Sequence, residues 1–341
     1  MVRRSWIALA LTLLVTGLFV PGTSLPVAPQ HAGAQAPTTT TLRFAVLAPR
    51  GSTWHRVFTA WGNTLRTQTQ GAVTIQVQTA SPGDERNLVA QLRNGQLDGA
   101  NFTAVGLGHV ARPALVLQAP GVFADYAALD RARTAMDPEL RALFEQNGTV
   151  LMGWSDFGRG RVFTTRPVAR PADLRGAHAW VLPDDPIAPE FLQVVGATPV
   201  PLPLGGVLGA LGSQQVDTVV ASATAVSALQ WHTRLTHVMQ QSDAVLVGGT
   251  LMSKTRFDAL SPAHQQILRD TARQAHESLN RTIRRDDDRF FQSLTTSHGM
   301  QTVDASAHAA EWRTAAQQAR ERLVGRVFDR ALLDRALAAG R

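Results

Sequence analysis

At 341 residues, with 44% hydrophobic and 17% charged, the chain has an ordinary globular composition and room for one large or two medium domains. It contains no cysteine, which excludes a disulfide framework, a thiolate metal site, a thiol nucleophile and a lipid-modified cysteine anchor. The net charge of +7 is almost wholly arginine, Lys254 being the only lysine; the arginines are scattered among acids, as across 284–289, with no basic stripe or interleaved aromatics, which argues against nucleic-acid binding.

Taken in chain order, Arg3 and Arg4, the apolar run Trp6–Val20 and the small residues Ala32-Gly33-Ala34 predict a signal peptide over 1–34, cleaved after Ala34. The expected location is therefore the periplasm, unanchored. A polar, Thr-rich linker is expected at 35–41. From Leu42 short strands alternate with helices, the pattern of an α/β protein. Leu42–Leu47 reads as a strand, followed by a helix with Trp54, Val57, Phe58, Trp61 and Leu65 on one face. A strand at Val73–Val77, a helix that Asp84 can cap and Gly95 closes, and a strand at Leu97–Phe102 follow. Helix is expected over Ala119–Glu145, then strands at Thr149–Trp154 and Val162–Thr164 as a crossing between lobes.

A second α/β unit is predicted from a strand near Ala177–Leu182, a helix over Ile187–Val195, and strands around Pro199–Leu202 and Val216–Ala221. The chain returns through Ala244–Met252. Ser261 and Pro262 then open the longest helix, whose apolar positions Leu268, Ala272, Ala275, Leu279, Ile283, Phe290 and Leu294 carry it to about Ser297. The remaining tail reads as helical.

Five local patterns stand in order along this chain: Gly83-Asp84-Glu85 before a helix, Gly95-Gln96-Leu97-Asp98 leading into a strand, 170–176 (Arg-Pro-Ala-Asp-Leu-Arg-Gly), 195–202 (Val-Gly-Ala-Thr-Pro-Val-Pro-Leu), and the stretch from Ala210-Leu211 to Val216-Asp217. In these the chain resembles the receptor component of TRAP transporters, the dicarboxylate-type periplasmic binding proteins. The resemblance covers most of the chain, from about Leu42 to the end of the long helix. It implies an α/β, two-lobed periplasmic-binding-protein fold with strands crossing between lobes and a long brace helix spanning both. Lobe 1 is expected at 42–155 plus about 245–260, lobe 2 at 156–244, the brace at 261–297 and a helical tail at 298–341. The implied activity is capture of a small-molecule ligand by lobe closure and delivery to TRAP-type membrane permease subunits.

The chain departs from that family's pattern where ligand is held. Members carry an arginine that pairs with the ligand carboxylate in the strand after Asp-Leu-x-Gly; the position here is Trp180. The asparagine expected at the end of a later strand is replaced around Val220 and Ala221. A buried carboxylate needs charge-assisted hydrogen bonds in place of its hydration, and an indole offers one N–H and no charge. The expected ligand is accordingly hydrophobic or weakly polar. The candidate ligand-binding residues are Trp54, Phe102, Thr103, Trp154, Asp156, Phe157, Trp180, Ala221, Ser222 and Trp231. An apolar cleft of this kind resembles a subgroup with tetratricopeptide periplasmic partner proteins. If the ligand is an organic acid, Arg159 or Arg161 is the nearest substitute for the lost arginine. A lipid carrier or ligand sensor uncoupled from a permease is a further alternative.

No enzyme is expected. There is no His-Glu-x-x-His, Gly-x-Ser-x-Gly or phosphate loop, and His232 and His237 are five apart, poor spacing for a shared metal on a helix. No cofactor and no metal site are expected.

Overall fold

The computed structural model describes residues 39–80, 85–242 and 244–341. The expected signal peptide, its cleavage site and the Asp84 cap lie outside the described residues. The linker expectation needs correction, because β1 (Thr40–Val46) begins inside it. Thr40 and Thr41 are β-branched and lie in register with Val73 and Thr74 of β2 (Val73–Thr79), with the Thr41 and Thr74 hydroxyls 3.2 Å apart.

Between them runs α1 (Thr53–Gln68), and α2 (Glu85–Arg93), β3 (Gly99–Thr103), α3 (Ala104–Val110), α4 (Tyr126–Gln146) and β4 (Thr149–Arg159) follow. The second unit contains β5 (Arg161–Thr164), β6 (His178–Val181), α5 (Ala188–Val195), β7 (Thr198–Pro201), α6 (Val207–Gly212), β8 (Thr218–Ala221), α7 (Ala223–Ala228) and β9 (His237–Met239). The chain then returns as β10 (Val245–Ser253), α8 (Lys254–Asp258) and α9 (Pro262–Thr296), and ends with β11 (Gln301–Val303), α10 (Ala309–Leu323) and α11 (Arg330–Ala339).

These strands form two sheets, ordered β2-β1-β3-β10-β4 and β11-β9-β5-β8-β6-β7. The first has α2, α3, α4 and the end of the tail on one face, and α1 and α9 on the other. Trp61 of α1 shows how the second face is built. It packs edge-on to Phe44 and Phe58, with ring centres 5.2 and 5.5 Å away, and donates its indole N–H to Thr271 of α9 at 3.1 Å.

Two segments cross between the sheets side by side. One is β4 into β5 through Gly160, and the other runs from β9 to β10. Gly160 N–H donates to the Ala244 carbonyl at 2.9 Å, and Ser242 Oγ donates to the Gly160 carbonyl at 2.9 Å. Asp156, Gly158 and Arg159 pair with β10, so this stretch belongs to the first sheet, which moves the boundary expected after Ser155 to Gly160. The pairing with β10 carries the strand past the point where its own sequence loses strand character.

Helix α9 is the third crossing. At 35 residues it is about 52 Å long. Ser261 Oγ accepts from His264 N–H at 3.3 Å to cap it. Leu268, Ala272, Leu279 and Ile283 pack into the first lobe and Leu294 into the second. Asp287 sits between, 0% exposed. It accepts from Arg159 N–H at 3.0 Å, Arg161 Nη1 at 3.3 Å, Thr224 N–H at 3.1 Å and the Thr224 hydroxyl at 3.3 Å. One carboxylate thus fastens the brace to the crossing strand and to the start of α7. Gly158 makes room for this: its φ of +104 suits glycine, and a Cβ there would come within 2.6 Å of Ser222 and 2.8 Å of Asp287.

The tail touches both lobes. α10 packs on α5, where Trp312 stacks on Phe191 at 6.3 Å, while α11 packs on α4 through Arg335 and Glu139 at 2.6 Å.

Removing the Asp287 carboxylate leaves the Arg161 guanidinium buried without its counter-charge. Asp287→Ala is expected to cost about 3–5 kcal/mol of stability, read from urea unfolding midpoints, with Asp287→Asn losing less.

Candidate functional site

A cavity of about 580 Å³ lies between the two sheets. Each lobe contributes a pair of aromatic rings. From the first lobe, Trp54 stacks on Phe157 with ring centres 5.2 Å apart and planes inclined by 22°. From the second, Trp180 and Trp231 meet edge to face at 5.2 Å and 70°. Such arrangements suit ring quadrupoles and hold each side chain in one orientation.

Phe157 faces inward by alternation from Asp156 and stands at a β-bulge. β10 pairs Val247 with Asp156 and Leu246 with Gly158, leaving Phe157 as the extra residue of β4. Gly248 receives the ring: a Cβ there would sit 2.3 Å from Phe157. The indole N–H of Trp180 is already spent on the Leu202 carbonyl at 2.8 Å. That of Trp54 is buried and has no partner.

Seven of the ten expected residues line the cavity: Trp54, Thr103, Phe157, Trp180, Ala221, Ser222 and Trp231. The hydroxyls of Thr103 and Ser222 also cap helices, accepting from Val105 N–H and Ala225 N–H, each at 3.2 Å. The other three lie elsewhere. Phe102 is a core residue packed under Gly106, because it faces inward where its strand is covered by α2 and α3. Trp154 lies on the outer side of β4 against Phe144 and Arg133.

Asp156, 0% exposed, pairs with Arg133 and Arg284, each at 2.6 Å, because strand alternation puts it on the outer side of β4 with Trp154, two residues earlier. Nor does it pair with Arg159 or Arg161, and neither of those lines the cavity. Arg161 is buried against Asp287 and lies 4.2 Å over the Phe291 ring; burial pushes its guanidinium below the usual range. Arg159 lies 4.9 Å over the Tyr126 ring and 4.0 Å from Asp288.

The polar part of the wall was not expected from the sequence. Glu85, at the start of α2, accepts from Thr103 N–H at 2.7 Å and from the Thr103 hydroxyl at 2.6 Å. Burial, reinforced by the charge of Asp185, pushes its carboxyl up to about 7. Asp185 comes from the second lobe, where it accepts from Ile187 N–H at 2.7 Å, and burial raises it too. Beside them Arg86 and Asp184 form an ion pair between the lobes at 2.9 Å. The one cation in the cavity wall, among the described residues, is Arg313 of the tail. The traces of this in the sequence are Gly83-Asp84-Glu85 and Asp184-Asp185, each just ahead of a helix.

A carboxyl with a raised folded-state pKa stabilises the fold while protonated. The contribution of Glu85 is full below its ordinary 4.5 and is lost as pH rises through about 7. Thermal melts across that window should show the parent losing stability with rising pH, and Glu85→Gln losing clearly less.

Comparison with known proteins places this geometry. Residues 44–325 match the bacterial extracellular solute-binding protein family 7. The 2,3-diketo-L-gulonate-binding periplasmic protein of Escherichia coli K12 is 26% identical over 266 residues, covering 74% of this chain and 78% of its own. A TRAP periplasmic solute-binding protein from Ralstonia eutropha H16 with bound (S)-2-acetolactate superposes with a TM-score of 0.81 at 19% identity, over 88% of this chain and 98% of that one. One from Shewanella oneidensis with bound succinate gives 0.81 at 16% identity, over 89% and 100%. Among the described residues no helix is long and apolar enough to cross a membrane.

Proposed function

The chain belongs to the bacterial extracellular solute-binding proteins of family 7, and from that premise we propose that it is the receptor of a TRAP-type secondary transporter for a hydrophobic or weakly polar solute. It is a binding protein, not an enzyme. Its work is to bury a small molecule between the lobes, shift the open–closed balance toward closed, and present the cargo to membrane permease subunits. A tetratricopeptide partner gains no support from the relatives.

The observation that carries the choice of cargo is the composition of the wall. Six aromatic rings line the cavity, Trp54 and Phe157 from the first lobe, Trp180, Phe191 and Trp231 from the second and Trp312 from the tail, and among the described residues the acids of its wall are Glu85 and Asp185, both pushed toward the neutral form by burial. Trp180 stands where an arginine would be needed and has no free N–H to offer. A carboxylate entering such a site would lose its hydration and meet charge of its own sign. Burying ~300 Å² of apolar ligand surface is worth about 7 kcal/mol at ~25 cal/mol/Å², before ordering costs. That suffices for useful affinity without an ion pair.

A second reading has its own support. The solved relatives carry acids, succinate and acetolactate among them, and Arg313 reaches the wall from α10. An organic acid held here would use Arg313, not Arg159 or Arg161.

Native mass spectrometry and solvent extraction of protein purified from its host should reveal a co-purifying apolar molecule, and Trp180→Ala should weaken its binding by about tenfold or more. Tight calorimetric binding of succinate, unaffected by Trp180→Ala and lost in Arg313→Ala, would reverse the assignment in favour of the acid.

A further inference from the structure

The wall of the cleft carries an acid from each lobe and, among the described residues, no buried cation. Glu85 opens α2 in the first lobe, and Asp185 stands just ahead of α5 in the second. Their oxygens are not equally engaged. Glu85, 4% exposed, gives both of its own to Thr103. Asp185 is half-buried, and its Oδ1 accepts from Ile187 N–H at 2.7 Å and Ala188 N–H at 3.2 Å. Its Oδ2 takes no hydrogen bond among the described residues and is not sealed off. One oxygen thus holds Asp185 in place and the other is left to offer.

The cations nearby are occupied elsewhere. Arg86 is paired with Asp184 at 2.9 Å. Arg313 is exposed on α10 and donates through Nε to the Ala309 carbonyl of its own helix at 3.4 Å. Burial therefore raises both acids of the wall, and the charge of Asp185 raises Glu85 further across the lobe boundary. A positive group set against Asp185 would relieve that cost at both. The aromatic rings of the wall favour the same sign, since a ring face attracts a cation and does nothing of the kind for a carboxylate.

We propose that the solute of this cleft is an apolar amine, with a hydrophobic body for the rings and one positively charged nitrogen that donates to Asp185 Oδ2. The assignment rests on the apolar-cleft reading and narrows it to one chemical class. An ammonium loses hydration on entry, as a carboxylate does, but here it regains a charge-assisted hydrogen bond and the attraction of the rings. The charge it meets comes from both lobes, so its binding favours the closed arrangement over the open one.

Tryptamine, tryptophol and indoleacetate are the probes, one shape bearing a positive, a neutral and a negative end. Each is titrated by calorimetry into purified protein freed of endogenous ligand, near neutral pH and at constant ionic strength. Tryptamine is expected to bind about tenfold or more tighter than tryptophol, with indoleacetate weakest. Asp185→Asn keeps Oδ1 for the helix and should cut the margin of amine over alcohol to below about threefold. The order of the three probes on the parent protein is a test in itself, should that variant fail to fold. Tryptophol binding within about threefold of tryptamine, or tighter, overturns the amine and leaves the apolar cleft standing. Indoleacetate binding tightest overturns both. A margin unchanged in Asp185→Asn, or no saturable binding of tryptamine, also overturns the assignment.

Discussion

The arrangement of this molecule depends on a reciprocal exchange of charge between α9 and the strand that passes from one sheet to the other. Asp156 in β4 takes Arg284 from the helix, and Asp287 of the helix takes Arg161 from β5. Arg284 and Asp287 are three apart, hence on one face, and they grip the strand on either side of Gly160. Both carboxylates are wholly enclosed; the Arg161 pair is shut off from water and the Arg284 pair is screened less than a surface pair, since Arg284 is only 25% exposed. Asp287 also receives Thr224, which brings the start of α7, and with it Ser222 and Ala221, to the edge of the cavity.

The cavity wall and the ion pairs share one strand. Alternation along β4 sends Phe157 inward onto Trp54 and Asp156 outward to the ion pairs behind. The same register that builds the apolar wall therefore secures the crossing. By contrast, the visible link across the front, Arg86 with Asp184, is exposed on both sides, and pairs of that kind contribute about 0–1 kcal/mol. It orients the lobes when they meet and does little to hold them.

Much of this was legible in the chain. The alternation of strands and helices and the Ser261-Pro262 start of α9 follow from local pattern, and Trp180 in place of a cation follows from the family resemblance. Asp287 also leaves a mark, since it occupies the gap in the apolar stripe between Ile283 and Phe290, where a charge needs a reason. Strand alternation puts Trp154 and Asp156 on one side of β4 and Phe157 on the other, but which side meets the cavity was not legible, because it is decided by where α4 and α9 pack. The partners of Asp156 come from α4 and from α9, 128 residues away, a separation no local pattern can report. Glu85 escaped notice because its role depends on Asp185 arriving from the other lobe.

The docking of α10 on one lobe and α11 on the other makes the end of the chain a tether. Only residues 324–329 join the two helices, and the seven steps from Leu323 to Arg330 can span at most about 25 Å when drawn straight. While both helices stay seated, that length caps the opening swing. A gape wider than that must first peel a helix from its seat, and even a smaller one has to part Arg320 of α10 from the Pro120 carbonyl, 2.6 Å away.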